Sequence, residues 1–243
     1  MGSIVTDRHR AEMDSNGFTV FERLFTEAEM ADLTEVFEVH ERRRQAQLRA
    51  EGDSGISRAD EITFNDHLAE NDPSVRAFCE RPEIVEVCRA FLGPNVDLYW
   101  NQTVFKQPEG DKIFPWHQDD AYTEVDPAPY LTLWLAISDA TEENGCISVL
   151  PGSHKGGLRP HEWTDIGLTG YPADAPDQGI SVPVPAGSLI AFWSMTLHKS
   201  GANRSKGIRR AFVIQYCHAG LRYKASGDVV PNLLPISREE VTA

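Results

Sequence analysis

From about residue 97 onward the chain is a succession of short β-rich segments cut by glycine, proline, asparagine and aspartate. That pattern leaves few folds open. Short strands cannot bury an apolar face singly, so they must pair and stack, and the outcome is a sandwich or a barrel. Strands are expected over 97–106, 130–137, 146–150, 180–184, 188–193 and 209–216. In the second of these, Tyr130, Thr132 and Trp134 share one face and Leu131, Leu133 and Leu135 the other. Both faces are largely apolar, so this strand is expected to be internal.

The first ninety residues read differently. A short helix is expected over 6–14, closed by Asn16-Gly17, followed by a short strand over 18–21. Thr26 and Glu29 have the spacing of a capping box, and Met30, Leu33 and Phe37 follow at helical spacing. Beyond His40 the polar run Glu41-Arg42-Arg43-Arg44-Gln45 is expected to be the solvated end of that helix. Residues 51–60 read as loop, and Pro73 and Pro82 each open a further helix, the second ending at Gly93-Pro94. The expectation is one domain over 1–243, a β core with helices packed outside it. Residues 155–178, rich in glycine, proline and aspartate, are too long and irregular for a simple connection and are expected to form a lid over a pocket.

A formal net charge of −14 argues against nucleic acid or an anionic membrane as partner, since both require a basic patch. No apolar stretch has the length of a membrane span. Cys79, Cys88, Cys146 and Cys217 form no CxxC pair and suit no structural zinc site, and the start of the chain lacks the pattern of a secretory signal. The expectation is a cytoplasmic protein with buried thiols.

The chemistry centres on His117-Gln118-Asp119, preceded by the apolar run Ile113-Phe114-Pro115-Trp116. Side chains at i and i+2 of an extended strand lie on one face, so His117 and Asp119 can reach one ion, while Asp120 would point to the opposite face. His198, just beyond the apolar segment ending at Trp193, offers a third ligand. Two imidazoles and one carboxylate on one face of a ferrous ion leave the remaining positions open for oxygen chemistry. Arg209 or Arg210 offers a guanidinium for a carboxylate, and strand parity does not choose between them.

Three ordered blocks extend this constellation: Trp116-His117-Gln118-Asp119, then Asn144-Gly145-Cys146-Ile147-Ser148-Val149-Leu150-Pro151-Gly152-Ser153-His154, then His198-Lys199-Ser200-Gly201-Ala202-Asn203-Arg204-Ser205, followed by Arg209. Over roughly residues 15–218 the chain resembles the phytanoyl-CoA dioxygenase family of Fe(II)/2-oxoglutarate-dependent oxygenases. Lys199 departs from the small residue common at its position. The resemblance implies a double-stranded β-helix of the cupin-like jelly-roll type. It implies Fe(II) on His117, Asp119 and His198, and 2-oxoglutarate and O2 as co-substrates. The distal carboxylate of 2-oxoglutarate falls to Arg209, with Ser200 and Thr132 bonding to it and Gln102 lining its pocket. It implies oxidation, by default hydroxylation, of an unactivated C–H bond with release of succinate and CO2.

For Lys106 a pocket position and a solvent-reaching strand end are equally open, and Phe114 is either pocket wall or core. His154 is expected in a structural turn. His161 and Trp163, in the expected lid, are candidates to touch substrate. Lys155, Arg159 and Lys199 are too few to require a coenzyme A thioester, so the expected partner is a free small molecule, a secondary metabolite or amino-acid derivative. The competing readings are a metal-dependent hydrolase with the same three ligands and a non-catalytic small-molecule-binding protein on this fold.

Overall fold

The computed structural model describes residues 2–171 and 177–239. Two antiparallel sheets face one another. The larger runs, in spatial order, β1 (Phe18–Phe21), β8 (Leu189–Trp193), β5 (Leu131–Ala136), β10 (Arg209–His218), β3 (Val96–Lys106) and β11 (Leu234–Ser237), with β2 (Ile62–Asp66) also paired to the long β3. The smaller runs β7 (Ile180–Ser181), β6 (Ile147–Val149), β9 (His198–Ser200) and β4 (Phe114–His117). This is the jelly-roll that the resemblance implied, within the sandwich or barrel that the strand pattern left open.

Period-two alternation sorts the larger sheet's side chains. Leu131, Leu133 and Leu135 of β5 and Phe212, Ile214 and Tyr216 of β10 face the helices, among them α2 (Glu27–Glu51) and α5 (Pro82–Leu92). Phe37 of α2 packs on Phe212 with ring centroids 4.9 Å apart. Trp134, Ala136, Ala211 and Val213 face the smaller sheet and meet Phe114, Ile147 and Val149. β5 is internal, between β8 and β10, and buried along its whole length. The Thr26–Glu29 capping box is present: Thr26 N–H donates to Glu29 Oε2 at 2.7 Å and Glu29 N–H to Thr26 Oγ1 at 3.3 Å.

The structure departs from the sequence reading in places that have physical causes. The segment expected over 180–184 pairs only at Ile180–Ser181. Pro183, which has no N–H to give a ladder, follows at once, and Val184 makes a single bridge to Ala140. Four of the labelled strands, β2, β4, β9 and β11, lie outside the expected spans. Pro115 sits inside β4, and this is tolerated because β4 is the edge of the smaller sheet. β2 lies between a polar loop and Asn65-Asp66, which masks its alternation.

The polar run after His40 is not the solvated end of a helix. α2 continues to Glu51, and Glu41 and Gln45 are buried, Glu41 at 4% exposure. The Glu41 carboxylate accepts from Thr63 Oγ1 (2.8 Å), Gln45 Nε2 (2.9 Å), Asn65 Nδ2 (3.1 Å) and Gln107 Nε2 (3.2 Å). It fastens α2 to β2 and to the end of β3. Four donors converging on one buried carboxylate make its removal costly, because each is left unpaired. Glu41→Ala should lower unfolding free energy by about 2–3 kcal/mol, read by urea denaturation; a loss within experimental error would show the network is dispensable.

Candidate active site

Register brings the two distant histidines together. β9 pairs with β4 so that His198 stands opposite His117, and the imidazole centroids are 4.1 Å apart. The sheet can close this tightly because a turn packs beneath it. Gly145 has φ +84°, and a Cβ there would lie 2.3 Å from the Gly201 carbonyl oxygen. That contact joins two of the blocks noted in the sequence.

Each ring is oriented by a carbonyl. His117 Nδ1 lies 2.9 Å from the Pro115 oxygen and His198 Nδ1 3.0 Å from the Thr196 oxygen. A carbonyl only accepts, so Nδ1 carries the proton and Nε2 the lone pair. The two Nε2 atoms approach Asp119 Oδ1 at 3.4 and 3.5 Å, and all three donor atoms lie within 4.8 Å of one another.

Asp119 does not lie on an extended strand, as the sequence suggested. β4 stops at His117, and Asp119 opens a short 3-10 turn to Ala121. Gln118 between them keeps an extended backbone (φ −110°, ψ 134°), which preserves the i, i+2 relation. Asp120 is buried outside the cluster of three ligand atoms. The second Asp119 oxygen is occupied: Oδ2 accepts from Thr132 Oγ1 at 2.6 Å and Gln215 Nε2 at 3.0 Å. Oδ1 is thereby left to the histidines. Burial opposes the Asp119 charge, but His198 and then His117 outweigh it and hold the carboxyl at about 2. Burial, reinforced by His117, pushes His198 down to about 4. A carboxylate and two imidazoles whose Nε2 atoms converge on it are the donor set of a divalent transition metal, with further coordination positions open.

Arg209 settles the choice that parity left open. It is fully buried between the sheets, its guanidinium 5.5 Å from the Trp134 ring centroid. Nη1 donates to the Val104 oxygen at 3.2 Å, whereas Nε and Nη2 have no hydrogen-bond partner. Burial lowers it to about 10, which leaves it charged at neutral pH. A buried cation with two unpaired donors is costly unless an anion meets it. Arg210 points to the helices instead and donates to Glu38 Oε1 of α2 at 2.9 Å.

Two connected cavities meet at the triad. One contains Arg209 and Ser200 with Trp134, His198 and Val213; the other, about 260 Å³, is walled by aromatic rings; Gln102, Phe114, His117, Asp119 and Gln215 line both. Thr132 is not on the Arg209 cavity: its hydroxyl is committed to Asp119, which corrects the position the resemblance implied. Lys106 does not reach solvent. It is 1% exposed, and its ammonium donates to the Lys112 and Ser200 oxygens at 3.0 Å each and to the Gly201 oxygen.

Gln215, Gln118 and Trp134 were not assigned roles from the sequence. Gln215 shared the Arg209 parity, which was its only signal. Gln118 was the unspecified middle of the motif. Its amide donates to the Gly157 and Met195 oxygens (2.9 and 2.6 Å) and accepts from Arg159 N–H (2.8 Å). Its own N–H donates to His161 Nε2 at 3.0 Å. It thus ties the first part of the expected lid to the metal strands. That segment continues as a hairpin, Glu162–Thr164 with Gly167–Thr169; residues 172–176 of the expected lid lie outside the described residues. Trp163 is 69% exposed at 5.9 Å from the Tyr122 ring. His154 sits in a 3-10 turn with Nε2 3.2 Å from the Asp14 oxygen, away from the site.

Facing antiparallel sheets with two histidines and an aspartate between them define a jelly-roll protein with a group of three side chains that could hold a metal ion. The family model for phytanoyl-CoA dioxygenase (PhyH) matches residues 13–211, and the chain belongs to that family. Peroxisomal phytanoyl-CoA dioxygenase of Bos taurus is 25% identical over 241 residues, covering 91% of this chain and 71% of the relative. A probable α-ketoglutarate-dependent hypophosphite dioxygenase of Stutzerimonas stutzeri is 33% identical over 145 residues, covering 56% and 50%. Among solved structures, the non-haem α-ketoglutarate-dependent carbocyclase SnoK from nogalamycin biosynthesis superimposes with a TM-score of 0.77 at 21% identity, covering 96% of this chain and 97% of that one. EvdO2 from Micromonospora carbonacea var. aurantiaca, complexed with 2-oxoglutarate, gives 0.69 at 24% identity, covering 93% and 95%.

Groups that orient a metal ligand tune its affinity. Combining Thr132→Val with Gln215→Leu should weaken Co(II) binding by about 10–100-fold with the fold retained; an unchanged cobalt titration would remove these two residues from the site.

Proposed function

We propose that His117, Asp119 and His198 hold a ferrous ion and that Arg209, with the Ser200 hydroxyl, binds the distal carboxylate of 2-oxoglutarate. The protein is a 2-oxoglutarate-dependent dioxygenase of the non-haem iron class. The observation that carries the residue assignment is the Arg209 guanidinium, buried, charged and with two unpaired donors in a cavity that opens on the triad. A planar guanidinium meets a carboxylate with two parallel charge-assisted bonds, and a dicarboxylate is the anion such a cavity suits. A hydrolase reading of the same ligands has no use for this cation.

With iron, 2-oxoglutarate and O2 bound, the centre supplies oxidation of an unactivated C–H bond, releasing succinate and CO2. The protein's own part is placement. Thr132 and Gln215 hold the second Asp119 oxygen so that the first faces the metal position. The Pro115 and Thr196 carbonyls hold both imidazoles as Nε2 ligands. Arg209 fixes one end of the co-substrate, which aims the other end at the triad. Thr132 acts on Asp119 in this reading, and Gln102 lines the boundary between the two cavities.

The substrate is a small molecule, a secondary metabolite or amino-acid derivative, and residues 1–243 work as one domain. No helix among the described residues is long and apolar enough to cross a membrane. All four cysteines are unpaired and buried, which suits the reducing cytoplasm.

Asp119→Ala should abolish ferrous binding and succinate formation. Arg209→Ala should raise the 2-oxoglutarate requirement roughly a hundredfold while iron still binds, and Arg210→Ala should leave that requirement nearly unchanged. Succinate release measured against 2-oxoglutarate concentration, beside anaerobic iron titration, decides it: the same effect from Arg210→Ala would overturn the assignment.

A further inference from the structure

The aromatic cavity restricts what can be oxidised. Resting on the oxygenase reading, we propose that the substrate is an uncharged, ring-bearing small molecule, and not a coenzyme A thioester, a carboxylic acid or a free amino acid. The cavity adjoins His117 and Asp119, is not lined by Arg209, and is walled by Phe64, Tyr99, Trp100, Phe114, Tyr122 and Tyr130. Its volume of about 260 Å³ lies just below the roughly 300–1,000 Å³ usual for ligand pockets, which suits a compact molecule.

The decisive feature is charge. Apart from His117 and Asp119, no lysine, arginine, histidine, aspartate or glutamate lines this cavity among the described residues. A carboxylate or ammonium moved into it would lose its hydration and find no counter-ion, at a cost of several kcal/mol. The polar atoms on offer are neutral. The Gln102 amide oxygen accepts from Trp100 Nε1 at 3.2 Å, which leaves its NH2 to donate inward. Gln215 spends an N–H on Asp119 and keeps its amide oxygen as acceptor. Thr123 adds a hydroxyl at the rim, half-buried and already donating to the Tyr122 oxygen at 2.7 Å. Amide and hydroxyl groups among rings suit hydroxyl, carbonyl or ether groups on a flat skeleton.

The cations that a coenzyme A phosphate would need do not line the aromatic cavity. Lys199 lines the Arg209 cavity, is ion-paired with Asp177 and lies 4.9 Å over the Trp116 ring. Arg159 lines the separate outer groove of Trp116 and Glu162, and Lys155 lines neither of the two connected cavities. A net charge of −14 further disfavours a polyanion. The wall is tied to the hairpin: Tyr122 Oη accepts from Leu168 N–H at 3.1 Å, and Trp163 meets Tyr122 edge-on at 5.9 Å.

A matched set of probes tests this on the full chain: 2-naphthamide, 2-naphthoate and 2-naphthoyl-coenzyme A. Each is titrated anaerobically by tryptophan fluorescence, with and without Fe(II) and 2-oxoglutarate. The amide should bind at least about tenfold more tightly than the carboxylate, with the thioester weakest. Thr123→Lys, which sets a cation at the rim, should narrow the preference for the amide over naphthoate by about threefold. Equal or tighter binding of naphthoate or the thioester overturns the proposal, as does an amide that fails to bind at its solubility limit. The visible absorbance of the Fe(II)–2-oxoglutarate complex is recorded in the same samples. Its absence defeats the oxygenase reading, while the charge preference of the cavity is still read from the fluorescence.

Discussion

The antiparallel pairing of β9 with β4 is the interaction on which the site depends. It sets His198 opposite His117 and so turns two remote residues into one half of a metal-binding face. A one-residue slip would send one of the imidazoles to the outer face of the smaller sheet, because side chains alternate along a strand. Register is protected from beneath by the Gly145–Gly201 contact, which leaves no room for a side chain. The third ligand comes from the turn that ends β4, and its geometry is completed from the facing sheet by Thr132 and Gln215, which stand opposite each other on β5 and β10. The centre is therefore held by both sheets, and neither could form it alone.

Charge is distributed with equal economy. Between the sheets the described residues place Asp119 on one side and the cations Arg209 and Lys106 on the other, the latter two paired across β10 and β3. Lys106 is neutralised by no acid. Burial, and then Arg209, push it well below its ordinary value, and backbone oxygens satisfy its donors. Arg209 keeps unsatisfied ones. The two neighbouring buried basic groups thus differ in that Lys106 is satisfied by backbone and Arg209 keeps two unpaired donors. The aromatic cavity holds no such cation: apart from His117 and Asp119, which line both cavities, the described residues that line it are uncharged.

Much of the architecture was legible because its causes are local. Alternation along 130–137 and 209–216 announced internal strands, and the Thr26–Glu29 spacing announced a helix start that the backbone confirms. The misreadings arose where a local signal meets a tertiary partner. Glu41 and Gln45 look like a solvated helix face until β2 is laid against them with Thr63 and Asn65. Pro115 argues against a strand until β4 is seen to be an edge. Thr132 has the chemistry to bond a co-substrate, yet the nearer acceptor is Asp119.

By itself the sequence determined which chemistry this chain can carry. Two histidines, an aspartate and a buried-strand arginine, set in β-rich segments, already specify donor types suited to a soft-to-borderline metal and a carboxylate. The resemblance already named Arg209, but parity could not, since parity is a relative property until one face of β10 meets helices and the other meets the second sheet; the tertiary structure supplied that frame. It also decided that the larger cavity is neutral and aromatic, because Tyr99, Trp100, Tyr122 and Tyr130 come from separate segments whose convergence no periodicity encodes.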